Sequence, residues 1–170
     1  MNFLKQKNIM KNLILIRHAK SSWDSPLTDK KRPLANRGVA DAHLISSHIA
    51  SFLPKKSIIW CSTAKRAKDT ATIFLQNMTY PLESIIFKEE LYTFDVKELA
   101  RIIKTCNNSY DCVIVFGHNE AITDFVNKFG DTFIENVSTS GFVSIDFDIK
   151  SWEEIDKGHT KKVIFPRDLK

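Results

Sequence analysis

Lys11-Asn12-Leu13-Ile14-Leu15-Ile16-Arg17-His18-Ala19-Lys20-Ser21-Ser22 is the stretch that decides the fold. Its first seven residues hold an unbroken apolar run, bounded by polar residues and lacking the alternation of a half-exposed strand. It reads as a strand buried on both faces, the kind a parallel sheet keeps at its centre. Residues 18–33 that follow are polar and turn-rich. A long loop leaving the end of such a strand is where α/β proteins place their chemistry.

Working outward, the same alternation of strand and helix continues. Asn36 is a candidate N-cap, and Val39, Ala42, Ile45, Ile49 and Phe52 recur at helical spacing before Pro54. Residues 57–61 form a second short apolar strand. Ala67, Ala71, Phe74 and Met78 mark the inner face of a second helix that ends near Tyr80-Pro81. Residues 83–89 suggest a third strand. Asp95 followed by Glu98 signals a helix start, with Val96, Leu99 and Ile103 facing inward. Residues 111–116 give a fourth strand, and Ala121, Ile122, Phe125, Val126 and Phe129 the next helix. Residues 141–149 alternate Phe142, Ser144 and Asp146 against Val143, Ile145 and Phe147, which predicts a strand with one wet face. Residues 162–165 suggest an edge strand. This order predicts a three-layer α/β fold, a mostly parallel central sheet flanked by helices. Residues 1–170 read as one domain without repeats or linkers, with residues 1–10 a flexible arm and Met10 an alternative start.

The 170-residue chain is 43% hydrophobic, enough for a core, and carries a formal net charge of +5, which suits an anionic substrate. Lys30, Lys31 and Arg32 are its densest basic cluster, and they read as a solvated face. No nucleic-acid-binding pattern accompanies them, so nucleic acid is not an expected partner. Cys61, Cys106 and Cys112 form no C-x-x-C pair, and the five histidines show no H-E-x-x-H spacing. Buried inert thiols, no metal and no cofactor are therefore the expectation. No stretch has the apolar length of a membrane span, and the N-terminus lacks the apolar run of a signal peptide. A cytoplasmic protein is expected.

In open α/β sheets, ligands bind beyond the carboxyl ends of the strands. Arg17, His18, Lys20 and Ser21 follow the first strand, Ser62, Thr63, Lys65 and Arg66 the second, and Gly117, His118 and Asn119 the fourth. A neutral imidazole is a nucleophile near neutral pH. Phosphoryl transfer spreads negative charge over three oxygens, which two arginines and a second, protonated histidine could bind. His118 also stands where a helix N-terminus could help hold an anion. Taken singly, His18 or Arg66 would be an ordinary structural residue; their convergence gives them meaning. His43, His48 and His159 lack such company.

These residues carry a resemblance. Arg17-His18-Ala19-Lys20-Ser21-Ser22-Trp23 is similar to the R-H-G-x-S-x-W signature of the histidine phosphatase superfamily, the phosphoglycerate mutase-like fold. The segment from Ser62 through Arg66 to Ala71 resembles its S-P-x-x-R-A-x-x-T-A stretch, and Gly117-His118 its G-H motif. Asp29-Lys30-Lys31-Arg32-Pro33-Leu34-Ala35-Asn36-Arg37-Gly38 resembles the D-x-x-R-P-L-x-x-R-G run of the SixA-like phosphohistidine phosphatases. The resemblance implies that His18 is the phosphorylated nucleophile, that Arg17, Arg66 and His118 hold the phosphoryl oxygens, and that Lys20, Ser21 and Asn119 bind substrate at the rim.

Departures from the family pattern refine this. Asp24 stands where mutases place a phosphate-contacting Asn. Thr93 stands where they carry a general-acid Glu, for which Glu89, Glu90 and Asp95 are candidate replacements. An alkoxide leaves only with a proton from an acid, whereas phosphohistidine can be protonated by solvent on its free ring nitrogen. The reading is thus a metal-independent phosphatase acting through a phospho-His18 intermediate on phosphohistidine of a partner protein, such as a phosphotransfer domain. Its alternatives are a small-molecule phosphomonoesterase of the same fold and a non-catalytic phosphate-binding protein.

Overall fold

A computed structural model describes residues 10–170. The expected N-terminal arm lies outside the described residues, apart from Met10. Six strands form one sheet in the order β3-β2-β4-β1-β5-β6. They are β1 (Lys11–Arg17), β2 (Ile58–Ser62), β3 (Ile85–Lys88), β4 (Cys112–Gly117), β5 (Phe142–Phe147) and β6 (His159–Ile164). β1 to β4 run parallel, while β5 is antiparallel to both β1 and β6.

Apolar alternation along β1 feeds two cores. Leu13 and Leu15 face one side, with Leu99 and Ile103 of α3 (Val96–Ile103) and Phe125 of α4 (Ala121–Phe129). Ile14 and Ile16 face the other, with Ile45 of α1 (Asn36–Ile49) and Phe74 of α2 (Lys65–Met78). Because both faces are covered, β1 and β4 are apolar throughout, and the three layers follow from that composition. Lys11, at the foot of β1, is buried, and its ammonium is held by the carbonyls of Asn108 and Tyr110 and by Asp111.

The local readings differ from the structure at four places. Ala35, not Asn36, caps α1, and no side chain caps it. Val39 and Phe52 lie at the surface, because α1 keeps a narrower inner face of Ala42, Ile45 and Ile49. The expected wet face of β5 is largely covered: Ser144 is buried, since β5 lies between β1 and β6 and Asn12 bonds both Ser144 and Asp146. Finally, α4 begins at Ala121, three residues after His118, whose carbonyl accepts from the Ile122 amide. The three cysteines are buried and unpaired.

Candidate active site

Register brings the two histidines level. Arg17 pairs with Gly117 across the parallel β1–β4 ladder, and the His18 amide donates to the Gly117 carbonyl. The next residues on the two strands are therefore neighbours, and the His18 and His118 rings lie 5.2 Å apart between centroids. β2 ends at Ser62, so α2 starts beside them and Arg66, in its first turn, reaches His18. Two supports fix the β1 loop. Ala19 donates to Thr70 of α2. Gly38 lets α1 approach so closely that an added Cβ would lie 2.1 Å from the Lys20 carbonyl oxygen.

The tautomer of His18 follows from its partners. Nδ1 sits 2.7 Å from the Ala19 carbonyl, which only accepts, so Nδ1 carries the proton. Nε2 then offers its lone pair, and Arg66 Nε donates toward it at 3.3 Å. Burial, with the nearby Arg66, Arg17 and Arg32, outweighs the Ala19 carbonyl and lowers the pKa of His18 to about 4. The ring is neutral and nucleophilic at neutral pH.

His118 is also neutral in the free protein, contrary to the protonated second histidine expected from sequence. Burial first, then the neighbouring His18 and the Arg66 guanidinium, push its pKa far down. Tyr92 and Phe94 set their edges against its ring. Ser62 Oγ lies 2.7 Å from Nε2 and accepts from the Ala64 amide, which leaves its O–H free to be given to Nε2. In the tautomer in which Ser62 donates, the N–H is on Nδ1, which is buried without a partner. A buried donor without an acceptor is costly, and a phosphoryl oxygen would satisfy it. Arg17 is similar: Nη1 donates to the Val137 carbonyl while Nε is buried and unpartnered.

A cleft of about 510 Å³ opens here, lined by residues that include Arg17, His18, Arg66, Arg32, Asp29 and Phe94. Lys20, Ser21 and Asn119 also line it. Lys20 is exposed, as a rim cation would be. Ser21 Oγ accepts from Arg32 Nη1. The Asn119 side chain is engaged elsewhere: its carbonyl takes the Thr123 amide and hydroxyl, and its amide bonds Asn136. Asp24 is exposed and stands apart from the cleft lining, as do Glu89, Glu90 and Asp95. Glu89 is bound by Lys30 and Thr63, and Asp95 caps α3. Thr93 Oγ1 accepts from the Asp95 amide.

Sequence reasoning passed over several lining residues. The row of basic residues puts Arg32 on a solvated face with Lys30 and Lys31, yet it is 6% exposed. The single 3₁₀ turn Asp29–Lys31 delivers it inward, where it donates to Asp29 and Ser21 and stacks on Trp23 at 3.4 Å from the ring centroid. Asp29 is the carboxylate of the cleft. Burial alone would raise it, but Tyr92, Arg66 and Arg32 hold it down at about 2. Thr139 lines the far wall, beside Ser140 in the left-handed region (φ 60), whose amide bonds the Arg17 and His18 carbonyls. The D-x-x-R pattern was the signal for Asp29 and Arg32; nothing so specific marked Thr139. Three guanidiniums thus face one carboxylate, a positive surplus suited to a phosphoryl dianion.

Comparison with known proteins identifies the family. Residues 13–99 match the histidine phosphatase superfamily, branch 1. The chain belongs to that superfamily. As a histidine phosphatase it is 30% identical over 112 residues to an uncharacterised protein of Mycobacterium leprae, covering 64% of this chain and 66% of that one. It is 42% identical over 55 residues to an uncharacterised protein of Mycobacterium tuberculosis, a match covering 32% of this chain and 35% of that relative. Among solved structures, the protein histidine phosphatase SixA complexed with tungstate superposes with a TM-score of 0.79 at 20% identity, over 94% of this chain and 99% of that one. Mycobacterial glucosyl-3-phosphoglycerate phosphatase superposes with a TM-score of 0.64 at 10% identity, over 89% and 97%. The fold is therefore phosphoglycerate mutase-like, and it alone does not choose between substrates. Among the described residues, no helix is long and apolar enough to cross a membrane.

Proposed function

We propose that this histidine phosphatase hydrolyses phosphohistidine on a partner protein, without a metal, through a phospho-His18 intermediate. The observation that carries the reading is the acid content of the cleft. Asp29 is the acidic residue of its lining, held ionised by Arg66, Arg32 and Tyr92. A carboxylate with its pKa near 2 is a poor proton donor at neutral pH, so an alkoxide leaving group has no acid to serve it. An imidazole leaving group takes its proton from water.

His18 Nε2 attacks phosphorus in line with the leaving nitrogen. The new N–P bond forms as the old one breaks, and its electron pair returns to the departing imidazole. Arg17, Arg66 and His118 bind the equatorial oxygens as charge spreads over them. Water then attacks phosphorus, phosphate leaves, and His18 regains its lone pair. The Ala19 carbonyl on Nδ1 holds the ring in position through both steps. The likeness to SixA, named as a protein histidine phosphatase and bound to tungstate, supports the substrate class.

A small phosphate ester is the second reading, favoured by the exposed Lys20 beside Arg32, which could bind a further anionic group. Trapping separates the two. Wild type and His18→Ala are mixed with a radiolabelled phosphohistidine peptide, with and without a chelator, and quenched. Acid-labile, base-stable label on wild type alone, with phosphate released and no effect of the chelator, is the expected result. Faster turnover of an alkyl phosphate than of phosphohistidine would shift the assignment to the second reading, and binding without label or release would leave a phosphate-binding protein.

A further inference from the structure

Arg66 has five N–H donors, and the free protein already directs three of them. Nε points at His18 Nε2 at 3.3 Å. Nη1 donates to the Asp29 carbonyl at 2.7 Å and Nη2 to Asp29 Oδ2 at 3.0 Å. Asp29 therefore holds the guanidinium by its far end, through backbone and side chain together. The other carboxylate oxygen, Oδ1, accepts from Arg32 Nε and Nη2 at 3.3 and 3.1 Å. The Tyr92 hydroxyl also donates to Oδ2. One carboxylate thus joins three side chains from three parts of the fold: Arg66 in α2, Arg32 after the 3₁₀ turn, and Tyr92 beyond β3.

Two roles are open to a carboxylate on phosphate-binding arginines. It can occupy the place of the phosphoryl group and be displaced on binding, or it can grip the arginines from behind and aim them. The contacts favour the second. A phosphoryl group on His18 must lie at Nε2, and the edge of Arg66 that faces Nε2 is its Nε edge. Asp29 holds the terminal nitrogens, and two N–H groups remain for oxygens. The same grip sets one negative charge between Arg66 and Arg32, easing the repulsion that would otherwise splay two guanidiniums packed into one cleft.

We propose that Asp29 is a positioning residue for phosphoryl transfer: it aims the Nε edge of Arg66 at the phosphorus-bearing nitrogen of His18 and locks Arg32 beside it. This rests on the reading of His18 as the nucleophile. It adds a role for the first residue of the D-x-x-R run, which acts through the arginines and does not touch the substrate.

The test compares wild type, Asp29→Asn, Arg66→Ala and the double variant, with tungstate as the oxyanion probe in calorimetry and a phosphohistidine peptide as substrate. Asp29→Asn keeps the shape and loses the charge. A misaimed group of this kind slows turnover on the order of 10- to 100-fold, so kcat/KM should fall by about that factor and tungstate should bind correspondingly more weakly. In the Arg66→Ala background the same substitution should cost kcat/KM clearly less than in wild type, because the share that runs through Arg66 is gone and only the share through Arg32 remains. A general loss of folding would instead lower both backgrounds equally. Asp29→Asn binding tungstate more tightly than wild type, or turning over as fast, would make the carboxylate a displaceable plug and overturn the proposal. An undiminished effect in Arg66→Ala would overturn it as well. Should Asp29→Asn melt far below wild type, Asp29→Glu carries the same comparison, with the charge kept and the reach changed. If wild type fails to turn over phosphohistidine, the functional reading falls, and the tungstate affinities still decide the role of Asp29.

Discussion

Lowering the pH tests the site at its nucleophile. Burial and three nearby guanidiniums take the pKa of His18 from 6.5 to about 4. At pH 5 a ring with the ordinary value would be only about 3% neutral, whereas one titrating near 4 would be about 90% neutral, roughly a 30-fold difference in active form. The sign is unambiguous, since attack on phosphorus needs the unprotonated Nε2, present above the pKa and lost below it. The direct assay is heteronuclear NMR of the imidazole ring nitrogens between pH 3.5 and 8, with His18→Gln to assign the signals. Between pH 5 and 8 the His18 nitrogens should stay at neutral-ring shifts, with Nδ1 as the protonated nitrogen. Replacing Arg66 by Met removes one of the charges disfavouring imidazolium, so the inflection should move upward. An inflection at 6.5 or above in wild type would refute the reasoning, as would an Nε2-protonated neutral ring.

Four further outcomes are expected. Arg66→Ala should lower kcat/KM on the order of 10²- to 10³-fold, the usual effect of removing a donor to developing transition-state charge; an effect below ten-fold in steady-state assays would contradict its role. Ser62→Ala should lower kcat, because it frees the His118 ring to change tautomer, and should also lower the melting temperature, because it leaves the buried Ala64 amide and His118 Nε2 without their partner; an unaltered kcat would remove Ser62 from the site. Because His18 is held neutral, the unfolded chain binds the extra proton first, so stability should fall from about pH 6.5 down to pH 4. A drop from 6.5 to about 4 corresponds to roughly 3 kcal/mol, measurable by urea unfolding of wild type against His18→Gln. Gly38→Ala should destabilise by about 1–3 kcal/mol in thermal unfolding and slow turnover, since its methyl would meet the Lys20 backbone.

The strand ends that carry the site were legible in the sequence because both faces of β1 and β4 are buried, and unbroken apolar runs leave little choice of structure. Arg17, His18, Arg66 and His118 could be named together because the parallel order β2-β4-β1 puts their strand ends side by side. What failed to show was anything depending on how a short turn aims its residues. Lys30, Lys31 and Arg32 look alike as charges in a row, but Arg32 turns inward to Asp29 and Trp23 while Lys31 stays exposed. Ser144 reads as a solvent-facing residue until Asn12 of the neighbouring strand is seen to cover it. The charge of His118 was out of reach for a different reason: it depends on how much water the rings of Tyr92 and Phe94 exclude, and no local pattern encodes that.

The two histidines share a backbone rung, with Arg17 beside Gly117 on strands separated by almost the whole middle of the chain. Arg66 comes from a third strand end, 48 residues from His18. Arg17 and His18 therefore meet His118 only once β4 has paired with β1, with β2 on its other side. Turnover is then an all-or-none reporter of assembly. On dilution from denaturant, phosphatase activity should return no earlier than the β1–β4 and β2–β4 pairings that bring the strand ends together.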